Sequence, residues 1–110
     1  MRRRYLTDEQ RNSHAWYAVY QLVEPLTSHI RYVGCTNSPF SRLNQHCNHA
    51  ASKAMGNWIH GLKLQGLIPE LQIIEDGLTY GKAMRLEKRW IRAYRLQGHP
   101  ILNVYPVEEE

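Results

Sequence analysis

The sequence predicts an α+β domain: a small three-stranded antiparallel sheet flanked by about three helices. Residues 16–23 and 30–35 are short runs rich in aromatic and β-branched side chains, joined by a loop short enough for an antiparallel hairpin. Three later stretches repeat apolar residues at helical spacing, and one further strand signal, residues 70–75, lies between the second and third of them. At 110 residues the chain can bury one core and not two. The domain is expected over residues 16–106, between a basic extension (1–15) and an acidic tail (107–110).

In the extension, Arg2, Arg3 and Arg4 precede Thr7 and Gln10, whose spacing resembles a capping box and suggests a short helix over about 8–13. The first helix opens at Pro39, after the capping side chains of Thr36, Asn37 and Ser38, and runs to about Asn48. Ala51, Ala54, Met55, Trp58, Ile59 and Leu62 form the apolar stripe of a second helix over about 51–64, with Gly66 just past its C-cap. The third strand follows, Asp76-Gly77 reads as a turn, and Thr79 is the expected cap of a third helix over about 80–96.

Composition narrows the function classes. Hydrophobic content of 43% and charged content of 22% are those of a soluble globular protein. No apolar run approaches the ~20 residues that span a bilayer. No apolar signal core follows the basic N-terminus, and two cysteines make no disulfide framework, so a reducing, cytoplasmic setting is expected. The net charge is +4, ten of the fourteen basic side chains are arginine, and three of the ten acids sit in the tail. Arginine suits bidentate phosphate contacts, so a polyanion such as nucleic acid is a natural partner. His46, Cys47 and His49 also invite a zinc reading, but no second ligand pair stands at a matching distance.

Two places concentrate chemistry. Tyr32, Gly34, Arg42 and His46 lie within seventeen residues, with Arg42 and His46 four apart on one helical face. In the third helix, Glu87 sits among Ala83, Met84, Trp90, Ile91 and Tyr94, in the stripe that should face the core. A buried carboxylate must pair, protonate or bind a cation. It is therefore either a structural partner of an arginine such as Arg42, or a metal ligand or general base. Asn103, in an otherwise apolar run, also points to a specific polar contact.

Taken in order, Ala18-Val19-Tyr20, Tyr32-Val33-Gly34, Arg42, His46, Glu87 and Asn103 resemble the GIY-YIG nuclease family, and the fold expected is GIY-YIG nuclease-like. Ala18 stands where the family has its first glycine. Lys53 or His49 could supply the further basic side chain that some members carry, and the chain has no room for the separate DNA-binding domain often found with this fold. The resemblance implies an endonuclease that hydrolyses DNA, duplex or branched, with one divalent ion, Mg²⁺ or Mn²⁺. Glu87 would hold the metal, Arg42 clamp the phosphate, and Tyr20 act as general base, with its pKa lowered or its proton passed to His46. Tyr32 would orient water or a phosphate oxygen, and Asn103 would brace the site. Arg42, Lys53, Arg85, Lys88 and Arg89 are the expected nucleic-acid contacts, and a partner protein or a dimer the expected source of specificity. The alternative is a nucleic-acid-binding module of the same fold with little or no catalysis. A structural interaction domain is a further rival.

Overall fold

The computed structural model describes residues 15–50 and 52–103. The elements run β1 (Tyr17–Val23), β2 (Ile30–Thr36), α1 (Pro39–Asn48), α2 (Lys53–Leu64), β3 (Glu70–Leu78) and α3 (Tyr80–Leu96). The helix expected over 8–13, Ala51 and residues 104–110 lie outside the described residues. No described helix is long and apolar enough to cross a membrane.

β1 is the centre of the sheet, antiparallel to β2 on one side and β3 on the other. Alternation along β1 therefore feeds two apolar layers. Val19 and Val23 join Ile30, Val33, Ala83 and Ile91 beneath α3. Tyr20 and Leu22 face the opposite way, against Met55 and Ile59 of α2. Each fully buried aliphatic side chain contributes roughly 1.5–3 kcal/mol, so these layers hold the helices on both faces of the sheet.

The helix ends follow from the sequence. Pro39 occupies the first turn of α1. Thr79 accepts the N–H of Lys82 at 3.3 Å, and Ser52 caps α2 by accepting the N–H of Met55 at 3.1 Å. Asp76-Gly77 does not end β3, however. Gly77 has φ +70°, and Tyr17 and Val19 stand opposite Leu78 and Glu75, so β3 carries an extra residue there. The left-handed glycine makes a bulge inside a longer strand, where the dipeptide alone reads as a turn.

After α3 the chain returns along the outer edge of β2. The Asn103 side chain accepts the N–H of Val33 at 3.1 Å and donates to its C=O at 2.8 Å. Its amide satisfies the strand as a neighbouring peptide unit would.

Candidate active site

Where β1 begins and β2 ends, the two faces of the sheet meet in a cleft of about 400 Å³. Its walls include Tyr20, Tyr32, Gly34, Cys35 and Arg42, with Tyr80, Met84 and Glu87 supplied by α3. Met84 and Tyr80 stand one and two turns before Glu87, so a single helical face delivers all three. Tyr17 and Tyr80 pack edge-to-face at 5.2 Å and form one side of the opening.

Tyr20 is fully buried and lies across from Gly34 in the β1–β2 register. A Cβ on Gly34 would stand 2.6 Å from the Tyr20 hydroxyl and 2.8 Å from Cζ. The glycine is thus required by the ring that lies over it. The hydroxyl meets Nε2 of His46 at 2.8 Å, and the Tyr32 ring packs edge-on against the same imidazole at 4.9 Å. Burial pushes the Tyr20 phenol well above its ordinary range, reinforced by the neighbouring Tyr32 and opposed by Arg42. Tyr32 is shifted upward as well, by burial and then by Glu87. His46 moves the other way, down to about 4, through burial and the nearby Arg42 guanidinium. The imidazole is therefore neutral at pH 7, with Nε2 able to accept the phenol's hydrogen bond.

Glu87 is 6% exposed. Burial raises its carboxyl above the usual range, while a hydrogen bond from the Cys35 thiol, and then Lys88 and Arg42, pull it back. The Cys35 thiol in turn is pushed up to about 12, by burial first and by Glu87 next. Its sulfur also approaches the Met84 thioether at 3.7 Å. The cleft thus gathers acidic groups held back from ionisation, with one guanidinium facing them.

Of the residues singled out from sequence, Tyr20, Tyr32, Arg42 and Glu87 border this one cleft, and His46 joins it through Tyr20. Asn103 lies on the edge of β2, both ends of its amide spent on Val33. Arg85 and Arg89 line a separate groove between β3 and α3, together with Lys82. Lys53, Lys88 and His49 are exposed. Among the described residues no three His, Cys, Asp or Glu side chains gather as a group that could hold a metal. Sequence reasoning overlooked Tyr17, Cys35, Tyr80 and Met84. The spacing of Tyr80, Met84 and Glu87 was the available signal for the last two. Cys35 belongs to the opposite strand face from Tyr32, and only the way the cleft wraps the sheet's end brings them together.

A family model described as the GIY-YIG catalytic domain matches residues 16–99. The chain belongs to the GIY-YIG family. No curated protein and no solved structure matches it. GIY-YIG domains are generally nucleases, usually employ divalent metals, and imply a nucleic-acid substrate. The three antiparallel strands and three helices agree with the GIY-YIG α+β fold. In this GIY-YIG chain Ala18, at the position of the first motif glycine, is buried opposite Thr36.

Proposed function

We propose that this chain is a divalent-metal-dependent DNA endonuclease that hydrolyses phosphodiester bonds with one metal ion and uses Tyr20 as general base. The observation that carries the reading is the convergence of Tyr20, Tyr32, Arg42 and Glu87 on one cleft, with His46 hydrogen-bonded behind Tyr20 at 2.8 Å. Glu87 is the cleft's one carboxylate among the described residues, and its burial raises its pKa against the opposing pull of the Cys35 thiol, Lys88 and Arg42. That donor fits Mg²⁺ or Mn²⁺, since a single carboxylate with retained waters and phosphate oxygens is an ordinary coordination set. When bound there, the ion supplies positive charge to the scissile phosphate and the leaving oxygen.

The rest falls to the protein's own groups. Arg42 grips a phosphate oxygen and stabilises charge that grows in the transition state. Burial holds the Tyr20 phenol protonated in the free protein. Arg42, and a cation were one bound, would favour the phenolate, which would take a proton from the attacking water as its own passes to His46. Tyr32, beside the same imidazole, orients that water or a phosphate oxygen. Asn103 fixes β2 beneath them. Beyond the cleft, Arg85, Arg89, Lys88 and Lys53 follow the DNA backbone, so binding weakens steeply as salt rises.

The deciding experiment incubates supercoiled plasmid and short branched DNA with Mg²⁺, with Mn²⁺ and with chelator, for wild type and Glu87→Ala. The wild type is expected to cut only with metal, and Glu87→Ala to bind DNA without cutting. Wild-type cleavage by Glu87→Ala would end the metal assignment. DNA binding without cleavage under every condition would establish the alternative, a nucleic-acid-binding module.

A further inference from the structure

Two recesses open on opposite sides of α3. The cleft takes Tyr80, Met84 and Glu87 from one face of that helix. A groove of about 270 Å³ takes Lys82, Arg85, Leu86 and Arg89 from the other, together with Glu75 and Leu78 of β3. At 3.6 residues per turn the two sets lie about 180° apart around the helix. Both recesses reach the same end of the sheet, where Tyr17, on the cleft, pairs with Leu78, in the groove. The groove sets Lys82, Arg85 and Arg89 against a single carboxylate, Glu75, among its described residues. Arg85 reaches back toward the start of α3, its Nη1 3.7 Å from where a Cβ of Gly81 would stand. Tyr80, the first residue of α3, occupies the junction. It joins neither apolar layer of the sheet; its ring packs on Tyr17, which rests on the Val19 layer. An edge-to-face contact uses one face of one ring and only an edge of the other. Tyr80 is half-buried, so aromatic surface remains at the mouth of the cleft.

We propose that the preferred substrate is a forked DNA straddling the start of α3, one strand in the cleft and the other in the basic groove, with the unpaired base at the fork stacked on Tyr80. The inference rests on DNA occupying the cleft, as in the function proposed above. A base inside an intact duplex has both faces covered by its neighbours, whereas a base at a fork is already free to stack on a protein ring. Lys82, Arg85 and Arg89 then hold backbone phosphates of the second strand, opposite the strand that Arg42 grips. A helix about 10–12 Å across also fits a major groove of about 12 Å, with one strand on either side. An intact duplex held that way leaves Tyr80 no base to stack on, and this decides for the fork.

Binding is read by fluorescence anisotropy without divalent metal, so that affinity is separated from cutting. The DNAs share one sequence: an intact duplex, a fork with two single-stranded arms, and the two one-armed forms. The wild type should bind the fork roughly tenfold more tightly than the duplex, the scale of one base–aromatic stack. A 2-aminopurine at the fork should lose fluorescence on binding. Tyr80→Leu should erase both the preference and the quenching, and Tyr80→Trp should keep them; Tyr80→Ser is the second variant should Tyr80→Leu fold poorly. Arg85→Ala with Arg89→Ala should weaken binding of the fork, and weaken far less the binding of the one-armed DNA that lacks the groove strand. Equal affinity of wild type for fork and duplex overturns the proposal, as does a preference that survives Tyr80→Leu. An arginine loss equal on the fork and both one-armed DNAs overturns the straddled geometry. Tight, Tyr80-dependent binding of a fork that is never cut with Mg²⁺ or Mn²⁺ supports the straddled fork and ends the nuclease reading. Metal-dependent cleavage with fork and duplex bound equally overturns the fork and spares the nuclease.

Discussion

The two ends of β2 use buried polar groups in opposite ways. At the Ile30 end the polar groups below are committed to the fold. The Ile30 N–H donates to His99 Nδ1 at 3.0 Å, Leu102 N–H to the Arg31 carbonyl at 2.7 Å, and Asn103 holds both backbone groups of Val33. Toward the Thr36 end, burial presses Tyr20, Cys35 and Glu87 toward their neutral forms, and His46 likewise. Satisfied groups make one end rigid. Groups held off their preferred charge make the other responsive to whatever cation or phosphate enters.

Glu87→Gln gives the largest separation between the two ends. Cleavage should fall by ~10³-fold or more, since the ligand for a catalytic cation is lost. Thermal stability at pH 7 should rise, measured as Tm by circular dichroism. The raised pKa means the folded state holds its proton more firmly than the unfolded chain does, so folding is penalised as pH climbs past the ordinary carboxylate range, and Gln removes that penalty. Asn103→Ala attacks the closed end. It strands a buried N–H and C=O, at a cost of about 3 kcal/mol in urea melts, while the fraction still folded keeps binding DNA.

Gly34→Ala tests the open end by crowding. The new methyl would overlap the Tyr20 hydroxyl, so the ring must shift, at roughly 1–3 kcal/mol in stability and with slower cleavage than binding can explain. The smallest effect is in pH. Between the ordinary 6.5 and about 4, the unfolded chain takes up a proton that folded His46 refuses, so Tm should fall as pH falls through that window. His46→Leu should flatten that slope in a pH series of melts.

Strands and helices were legible because local signals and long-range packing agree. Pro39, Thr79 and Gly66 mark helix ends where the structure has them, and the α3 stripe betrayed Glu87 by placing a carboxylate among apolar neighbours. Asp76-Gly77 misled because the same left-handed glycine serves a turn or a bulge, and only pairing with β1 decides which. The motif residues of the cleft could be grouped from sequence by resemblance. The contact of Cys35 with Glu87 could not, since it joins residues far apart in sequence. Nor could the cavity between α1 and α2, bordered by His46, His60 and Lys63, which depends on how α1 packs on α2.

One consequence of the Asn103 clamp concerns association between molecules. β2 is an edge strand, and the outward N–H and C=O of an edge are a template for any extended chain that drifts past. By occupying both groups of Val33, a single side-chain amide blocks the middle of that template. Without it, light scattering of the folded protein should grow with concentration, a self-pairing hazard distinct from any loss of stability.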